Sequence, residues 1–166
     1  MKAYHIVGLS GSGKTTLVAD LVRELRRQNF SVGTIKHSSH AHELDKPGKD
    51  SFVHRTAGAA PAAMMTRNLA AVYLPRSPEM NPATLMEHYY THLDLVLIEG
   101  WISGPFEKIE VWRKCVEQPF LFPGIDSVKA LVSDDRPDAQ TKQQAEAKNI
   151  VCLKRSGLTD IIDLIT

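Results

Sequence analysis

Hydrophobic residues follow two alternating periods along most of the chain, one typical of strands and one typical of helices. The strand pattern covers residues 3–7, 30–35, 62–66, 70–74, 94–98, 108–113, 128–132 and 150–153. The helical pattern covers residues 15–28, 50–60, 82–90, 137–148 and 158–165. Strands that alternate with helices favour a parallel sheet with helices on both faces. The pattern therefore predicts an α/β fold with a mostly parallel sheet, and the length of 166 residues predicts a single domain, residues 1–166.

The turn between the first predicted strand and the first predicted helix carries a phosphate-binding motif. Residues 8–15 read Gly-Leu-Ser-Gly-Ser-Gly-Lys-Thr, which satisfies the P-loop (Walker A) pattern G-x-x-x-x-G-K-[ST]. We expect Lys14 to reach the β- and γ-phosphates and the Thr15 hydroxyl to bind Mg²⁺. The predicted phosphate contacts are Gly8, Ser10, Gly11, Ser12, Gly13, Lys14, Thr15 and Thr16. The motif predicts a three-layer P-loop nucleotide-binding fold; the alternative is a glycine-rich turn without a ligand.

An apolar predicted strand ends in an acid, and this pattern predicts a ligand for the Mg²⁺ of the same site. Residues 94–100 read Asp-Leu-Val-Leu-Ile-Glu-Gly, and in P-loop proteins an acid at the end of such a strand holds Mg²⁺ directly or through water. Glu99 is therefore the candidate metal ligand, together with Thr15, and the candidate catalytic residue that orients the attacking water. The alternative is an acid that caps the following turn. Asp94, at the other end of the strand, is interpreted as structural.

A long polar stretch, from Lys36 to Lys49, follows the second predicted strand. Long connections in compact domains are often functional. We interpret Lys36, His37 and Lys49 as anion contacts near the phosphates. A zinc site that includes His40 and His42, or a solvated loop without a ligand, are the alternatives.

Base selection has no motif of its own, because the Asn-Lys-x-Asp signature of many GTPases is missing from the sequence. Asp134 and Asp135 follow a late predicted strand, where a carboxylate can accept hydrogen bonds from guanine N1 and N2. Asp134 is the candidate guanine contact, and a loop or helix cap is the alternative.

Composition narrows the classes of partner. The formal net charge is +1, which gives no field that would favour nucleic acid or an anionic membrane. The two cysteines are too few for a disulfide framework, and no apolar run is long enough to span a bilayer. The N-terminus enters a strand and the P-loop at once, which leaves no room for a signal peptide. We therefore expect a cytoplasmic protein.

Five segments resemble one family, molybdopterin-guanine dinucleotide biosynthesis protein B (MobB). They are Thr-Ile-Lys-His at 34–37, Asp-Lys-Pro-Gly-Lys-Asp-Ser at 45–51, Arg-Thr-Ala-Gly-Ala at 55–59, Asp-Leu-Val-Leu-Ile-Glu-Gly at 94–100 and Lys-Ile-Glu-Val at 108–111. Together with the P-loop, these segments span residues 3–113, and residues 45–51 are the most diagnostic.

The resemblance implies a GTP-binding protein with weak GTPase activity and with GTP and Mg²⁺ as cofactors. It implies a role beside a MobA-like nucleotidyltransferase, which attaches GMP to molybdopterin in molybdenum cofactor biosynthesis. It also implies a homodimer and places Asp50 near the nucleotide, as a second candidate for positioning Mg²⁺ or water. The alternating strand at 108–113, with aromatic residues around it in the chain, is interpreted as lying near a sheet edge where subunits could meet. The alternative is an ordinary core strand protected within the monomer.

Two other functions fit the same residues. One is a small-molecule kinase, which would use the P-loop, the Mg²⁺ acid and a cationic loop for the acceptor. It is weakened because Arg113, Arg136 and Arg155 are scattered along the chain rather than gathered in a lid. The other is a non-catalytic adaptor whose polar loop is ordered by nucleotide.

Overall fold

A computed structural model describes residues 1–77 and 79–166 and divides the chain into two compact units. The first unit contains Met1–Ser38 and Leu85–Thr166, and the second contains Ser39–Thr84. The strands are β1 (Lys2–Val7), β2 (Val32–Lys36), β3 (Ala62–Met65), β4 (Ala70–Tyr73), β5 (Leu95–Glu99), β6 (Glu107–Val111), β7 (Val128–Val132) and β8 (Val151–Leu153). The helices are α1 (Lys14–Arg27), α2 (Asp50–Thr56), α3 (Pro82–Tyr89), α4 (Ala139–Ala147) and α5 (Leu158–Ile165).

The first unit is built on a parallel sheet of six strands in the order β2-β5-β1-β6-β7-β8. In this register Ile6 pairs with Glu99 of β5 and Val7 pairs with Glu110 of β6. The carboxyl ends of the three central strands therefore meet at one edge, where the P-loop leaves β1. Ligands of open parallel sheets bind at this edge. The predicted α/β fold with a mostly parallel sheet is confirmed.

One face of the sheet is covered by α1 and α5. Leu17, Leu21 and Leu25 recur at helical spacing on α1, and all three are completely buried in the main core cluster. Ile161 and Ile165 of α5 pack into the same cluster and are also completely buried. Each such side chain contributes about 1.5–3 kcal/mol when it leaves water. This packing fixes the position of α1 and hence of the P-loop that precedes it.

The opposite face carries two smaller clusters. Met86 of α3 packs with Ile35, Val96 and Ile98. The second cluster contains Phe122, Val128, Leu131, Ala145 of α4 and Ile150. Helices therefore lie on both faces, as the alternating pattern predicted.

The second unit contains α2 and an antiparallel hairpin of β3 and β4. The Arg55 guanidinium lies over the ring of Tyr73 and pairs with Glu43 at 2.6 Å and with Asp45 at 3.4 Å. Asp45 is buried, and it accepts a hydrogen bond from the Ser51 hydroxyl at 3.0 Å. The hairpin and its turn expose four large apolar side chains, Met64, Met65, Leu69 and Val72.

The strand predicted near a sheet edge is central instead, which corrects that interpretation. β6 lies between β1 and β7, and its charged residues Lys108 and Glu110 are 5% and 1% exposed. The Lys108 ammonium donates a hydrogen bond to the Gly104 carbonyl at 2.9 Å. The Glu110 carboxylate accepts from the backbone N–H groups of Leu121 and Phe122 at 2.7 and 2.8 Å. Backbone partners supplied by loops satisfy both charges, so alternation of charge did not indicate an edge here.

The ends of several elements also differ from the sequence pattern. The helix predicted over 50–60 ends at Thr56, because Gly58 follows with a left-handed φ of 103°. A short 3₁₀ turn at Lys114–Val116, not predicted, follows β6. Among the described residues, no helix is both long and apolar enough to cross a membrane.

Candidate functional site

The P-loop connects the end of β1 to the start of α1 and depends on glycine at two positions. Gly8 has a φ of 142°, and a Cβ there would lie 2.3 Å from the Val111 carbonyl oxygen. Gly13 has a φ of 94°, and it is the N-cap of α1. Side chains at both positions would be strained, and one at Gly8 would also push the loop away from β6. The glycines therefore let the backbone turn tightly between two strands and a helix.

The N-terminus of α1 has no capping side chain in the described part of the chain, and its first turn contains no acid. The first N–H groups of a helix lack intrahelical partners and carry a partial positive charge. An anion bound in the P-loop would satisfy these groups. The local sequence therefore leaves a helix end that is suited to phosphate.

Two polar side chains of the loop are also suited to an anion. The Lys14 ammonium donates a hydrogen bond to the Leu9 carbonyl at 2.7 Å, across the loop. Burial, and then the nearby charge of Lys36, hold the pKa of Lys14 below its usual value, while Glu99 opposes this shift. The Ser12 hydroxyl is buried and has no hydrogen-bond partner among the described residues. A phosphate oxygen would supply the negative charge and the acceptor that these groups lack.

Glu99 joins the P-loop to β2 through a single carboxylate oxygen. Its Oε1 accepts a hydrogen bond from the Thr15 hydroxyl at 2.8 Å and pairs with the Lys36 ammonium at 2.5 Å. The parallel register of β2 and β5 places Lys36 beside Glu99. Glu99 is only 7% exposed, whereas the Lys36 side chain is 60% exposed, so the pair joins a buried acid to a cation that reaches solvent. The structure therefore brings together three predicted site residues, Thr15, Lys36 and Glu99.

The turn after Glu99 packs closely on the loop that follows β2. The His37 backbone N–H donates to the Glu99 carbonyl at 3.0 Å, and the His37 ring lies 5.7 Å from that of Trp101. Gly100 has a φ of 89°, and a Cβ there would lie 2.7 Å from the His37 carbonyl oxygen. Close backbone approach at this point requires glycine, so Gly100 fixes the end of β5 against residue 37.

Asp134 lies at the end of β7 and is exposed. Its Oδ1 accepts hydrogen bonds from the Ser156 backbone N–H and hydroxyl at 2.8 and 2.9 Å. These hydrogen bonds are the main cause that lowers the pKa of Asp134. The Asp135 carboxylate accepts from the Lys114 backbone N–H at 2.8 Å. Both acids make contacts of the kind expected for loop caps, and a guanine contact for Asp134 stays a prediction.

Two predicted residues belong to the second unit. Lys49 is the N-cap of α2, and Asp50 is the first residue of this helix and is exposed. Their contribution to a nucleotide site stays a prediction. The described residues contain no group of three or more His, Cys, Asp or Glu side chains that could hold a metal ion by themselves, so the zinc alternative gains no support.

Arg113 was not among the site residues predicted from the sequence, but the structure places it beside the P-loop. It follows β6, and its guanidinium nitrogens lie 2.9 and 3.2 Å from the position that a Cβ on Gly13 would occupy. Nothing in the sequence near Arg113 resembles a phosphate motif. The only available signal was its place at the carboxyl end of a predicted strand, where sites of parallel sheets are built.

A buried histidine lies beneath the turn that follows Glu99. His5 of β1 is completely buried, and its ring lies 5.3 Å from that of Trp101 and 5.5 Å from that of Phe106. Burial, followed by the charge of Lys108, lowers the pKa of His5 from 6.5 to about 4. The imidazole is therefore neutral at pH 7.

This histidine predicts a pH dependence of stability. Between pH 6.5 and about pH 4 the unfolded chain binds a proton at His5 that the folded chain does not, so the unfolding free energy falls as the pH falls through this window. We expect His5 to account for a loss of about 2–3 kcal/mol between pH 7 and pH 4. Urea unfolding of wild type and His5→Leu at several pH values measures the difference, because other acids titrate in both proteins. Parallel pH profiles would contradict the assignment.

The residues present fit a nucleotide polyphosphate with Mg²⁺. The P-loop offers an uncapped helix end, a half-buried lysine and a buried hydroxyl without a partner in the described residues. Thr15 and Glu99 place a hydroxyl and a carboxylate within 2.8 Å of each other, and these are oxygen ligands of the kind that Mg²⁺ accepts. The arrangement can bind phosphates and a divalent cation side by side.

Comparison with known proteins gives a family and several relatives. The model of the family described as "Molybdopterin guanine dinucleotide synthesis protein B" matches residues 3–134. The molybdopterin-guanine dinucleotide biosynthesis adapter protein of Haemophilus influenzae is 35% identical over 133 residues, which cover 80% of this chain and 74% of that protein. The adapter protein of Escherichia coli is 37% identical over 107 residues, which cover 63% of this chain and 61% of that protein. The chain thus spans less than two thirds of the length of the second relative.

Solved structures are similar over nearly the whole chain. Bacillus subtilis MobB superposes with a TM-score of 0.73 at 21% identity, covering 99% of this chain and 96% of that one. The hydrogenase maturation factor HypB from Archaeoglobus fulgidus has a TM-score of 0.54 at 18% identity, covering 98% of this chain and 87% of that one. At such identities the similarity shows a shared fold.

Proposed function

The chain belongs to the molybdopterin guanine dinucleotide synthesis protein B (MobB) family, and from this premise we propose that it is a GTP-binding adapter with slow GTPase activity. Its relatives from H. influenzae and E. coli are named as adapter proteins of molybdopterin-guanine dinucleotide biosynthesis. In this proposal the protein assists a MobA-like nucleotidyltransferase that attaches GMP to molybdopterin. Membership of the family confirms the resemblance seen in residues 3–113.

The observation that carries the nucleotide part of the proposal is the contact between Thr15 and Glu99. A hydroxyl at the start of α1 and an acid at the end of β5 lie 2.8 Å apart although 84 residues separate them in the chain. Burial of a carboxylate costs free energy unless it is paired, so the contacts of Glu99 with the start of α1 hold an acid at the edge of the phosphate loop. Lys36 of β2 pairs with this acid beside the phosphate loop.

Each residue then has a distinct task in GTP binding. The P-loop backbone and the N-terminus of α1 hold the phosphates, and the Lys14 ammonium moves from the Leu9 carbonyl to phosphate oxygens. Thr15 and Glu99 would hold Mg²⁺, which when bound offsets the charge of the phosphates. Glu99 is also in a position to orient a water molecule, while Asp50 is retained as the rival for this task.

Guanine preference is proposed through Asp134. Its Oδ1 is held by Ser156, and this contact fixes the orientation of the carboxylate at the end of β7. A carboxylate that accepts from N1–H and N2–H discriminates against adenine, because adenine presents no matching pair of donors.

Competition between nucleotides tests the proposed function. We expect unlabelled GTP to displace a fluorescent GTP analogue at a concentration at least about tenfold lower than ATP, since a hydrogen bond to a charged group contributes about 1.5–3 kcal/mol. The expected preference should shrink in Asp134→Asn, which keeps the shape but loses the charge. Equal displacement by ATP and GTP in the wild type would contradict guanine recognition.

Self-association is part of the same proposal. The hairpin of the second unit exposes Met64, Met65, Leu69 and Val72, with Met65 and Leu69 more than two thirds exposed. Apolar patches of this kind on soluble proteins mark interaction sites. This observation supports a homodimer, and it replaces the β6 strand as the candidate surface.

Phosphoryl transfer to a small acceptor is the second candidate function, and one cavity favours it. A groove of about 440 Å³ lies between α1 and β2, and it is lined in part by Thr15, Lys36 and Glu99. An acceptor in this groove would lie beside Thr15 and Glu99, the proposed ligands of Mg²⁺. Turnover that rises on addition of an acceptor would favour this function over the adapter.

A further inference from the structure

The Arg113 side chain lies against Gly13, at the end of the P-loop. An ideal Cβ on Gly13 would lie 2.9 Å from one terminal guanidinium nitrogen and 3.0 Å from the guanidinium carbon. Among residues 1–77 and 79–166, the Arg113 side chain makes no hydrogen bond or ion pair that meets ordinary distance criteria, and the residue is exposed. Its guanidinium is thus available to a ligand of the loop.

Arg113 adds a further positive charge beside the P-loop and the N-terminus of α1. The uncapped N-terminus of α1 and the Lys14 ammonium already lie at this loop, and the pKa of Lys14 is depressed by burial and by a neighbouring lysine. A third positive group next to them is unfavourable in the free protein, since like charges repel in a partly desolvated site. An anion that neutralises the group removes this cost.

The order of the strands indicates whether Arg113 lies on the γ-phosphate side or on the base side of a bound nucleotide. Glu99 and Thr15 mark the magnesium side, and Glu99 is carried by β5 on one side of β1. Arg113 is carried by β6 on the other side of β1, next to β7 and Asp134. Hydrogen bonds from Ser156 are the main cause of the lowered pKa of Asp134, and the charges of Arg155 and then Arg113 add to it. Arg113 therefore lies between the P-loop and the proposed base contact, away from the γ-phosphate end.

We propose that Arg113 is a nucleotide-binding residue that contacts the α- and β-phosphates, a role that no P-loop motif assigns to it. This proposal rests on the proposed nucleotide binding of the P-loop and adds a second charged contact to that of Lys14. The planar guanidinium suits two phosphate oxygens at once, whereas a lysine at this place would act as a point charge.

Binding of three ligands by the full chain tests the proposal: GTP, GDP and inorganic triphosphate. In Arg113→Ala we expect each affinity to fall by about tenfold or more, with the ratio of GTP to GDP affinity kept within about twofold. Arg113→Lys should recover part of the loss and serves if the alanine variant is destabilised. Lys148→Ala is the matched control, because it removes one exposed positive charge from the same unit at the end of α4.

The outcomes separate this proposal from the proposed function. Affinities of Arg113→Ala within about twofold of wild type, or a loss confined to GTP, would overturn the α/β-phosphate contact. If wild type binds inorganic triphosphate as tightly as GTP, guanine recognition fails, yet the Arg113 contact is still decided by the triphosphate titration. If wild type binds none of the three ligands, both proposals fail.

Discussion

Replacement of Lys14 by alanine is expected to weaken GTP binding by about tenfold to a hundredfold and to leave the fold intact, because a charge-assisted hydrogen bond contributes about 1.5–3 kcal/mol. In the free protein the one hydrogen bond that the ammonium donates within the described residues goes to the Leu9 carbonyl, so its removal costs little of the unfolding free energy. The loss should appear with GTP and GDP, since the lysine reaches the β-phosphate as well as the γ-phosphate.

Titration of the variant with a labelled GTP analogue measures the effect. The thermal unfolding midpoint of the same sample checks the fold, and Lys148→Ala controls for the loss of one positive charge. An unchanged affinity for GTP in Lys14→Ala would contradict the P-loop assignment itself, and with it every role proposed for Thr15, Glu99 and Arg113.

Much of the fold is readable from the chain because its signals are local. Leu17, Leu21 and Leu25 at helical spacing, a strand before Gly8 and a helix after Gly13 are all decided within a few residues. The order of the strands is not local. The alternation of charged and apolar residues at 107–111 does not predict that loop carbonyls and N–H groups satisfy Lys108 and Glu110. For this reason the sequence pattern was interpreted as an edge strand.

The candidate site also contains some residues that local sequence signals predict and some contacts that only the fold creates. Gly8 to Thr15 and the acid of β5 were predicted because a contiguous motif and a strand end carry them. The pairing of Lys36 with Glu99 depends on the register of β2 against β5, and the approach of Arg113 to Gly13 depends on β6 lying beside β1. Such contacts join residues far apart in the chain, so a single sequence names the partners only when a motif already includes them.

Conversion of Glu99 to Gln is expected to slow Mg²⁺-dependent GTP turnover by about a hundredfold or more, in the range of lost positioning or general-base catalysis. Gln keeps the shape of the side chain and can still accept from the Thr15 hydroxyl, but it loses the charge that pairs with Lys36. The freed Lys36 ammonium adds positive charge near the phosphates. Binding of GTP without metal should therefore be unchanged or tighter, which separates a metal role from a general loss of binding.

Asp50→Asn is the matched control for the Glu99 variant, because it removes the charge of the rival acid in an exposed helix position. Phosphate release with and without Mg²⁺, measured for both variants beside the wild type, gives the answer. If turnover survives in Glu99→Gln and is lost in Asp50→Asn, Glu99 is a structural acid that positions Thr15 and Lys36, and hydrolysis depends on Asp50. If the reverse holds, the buried carboxylate at the end of β5 is the group on which hydrolysis depends, as its contacts with the P-loop threonine imply.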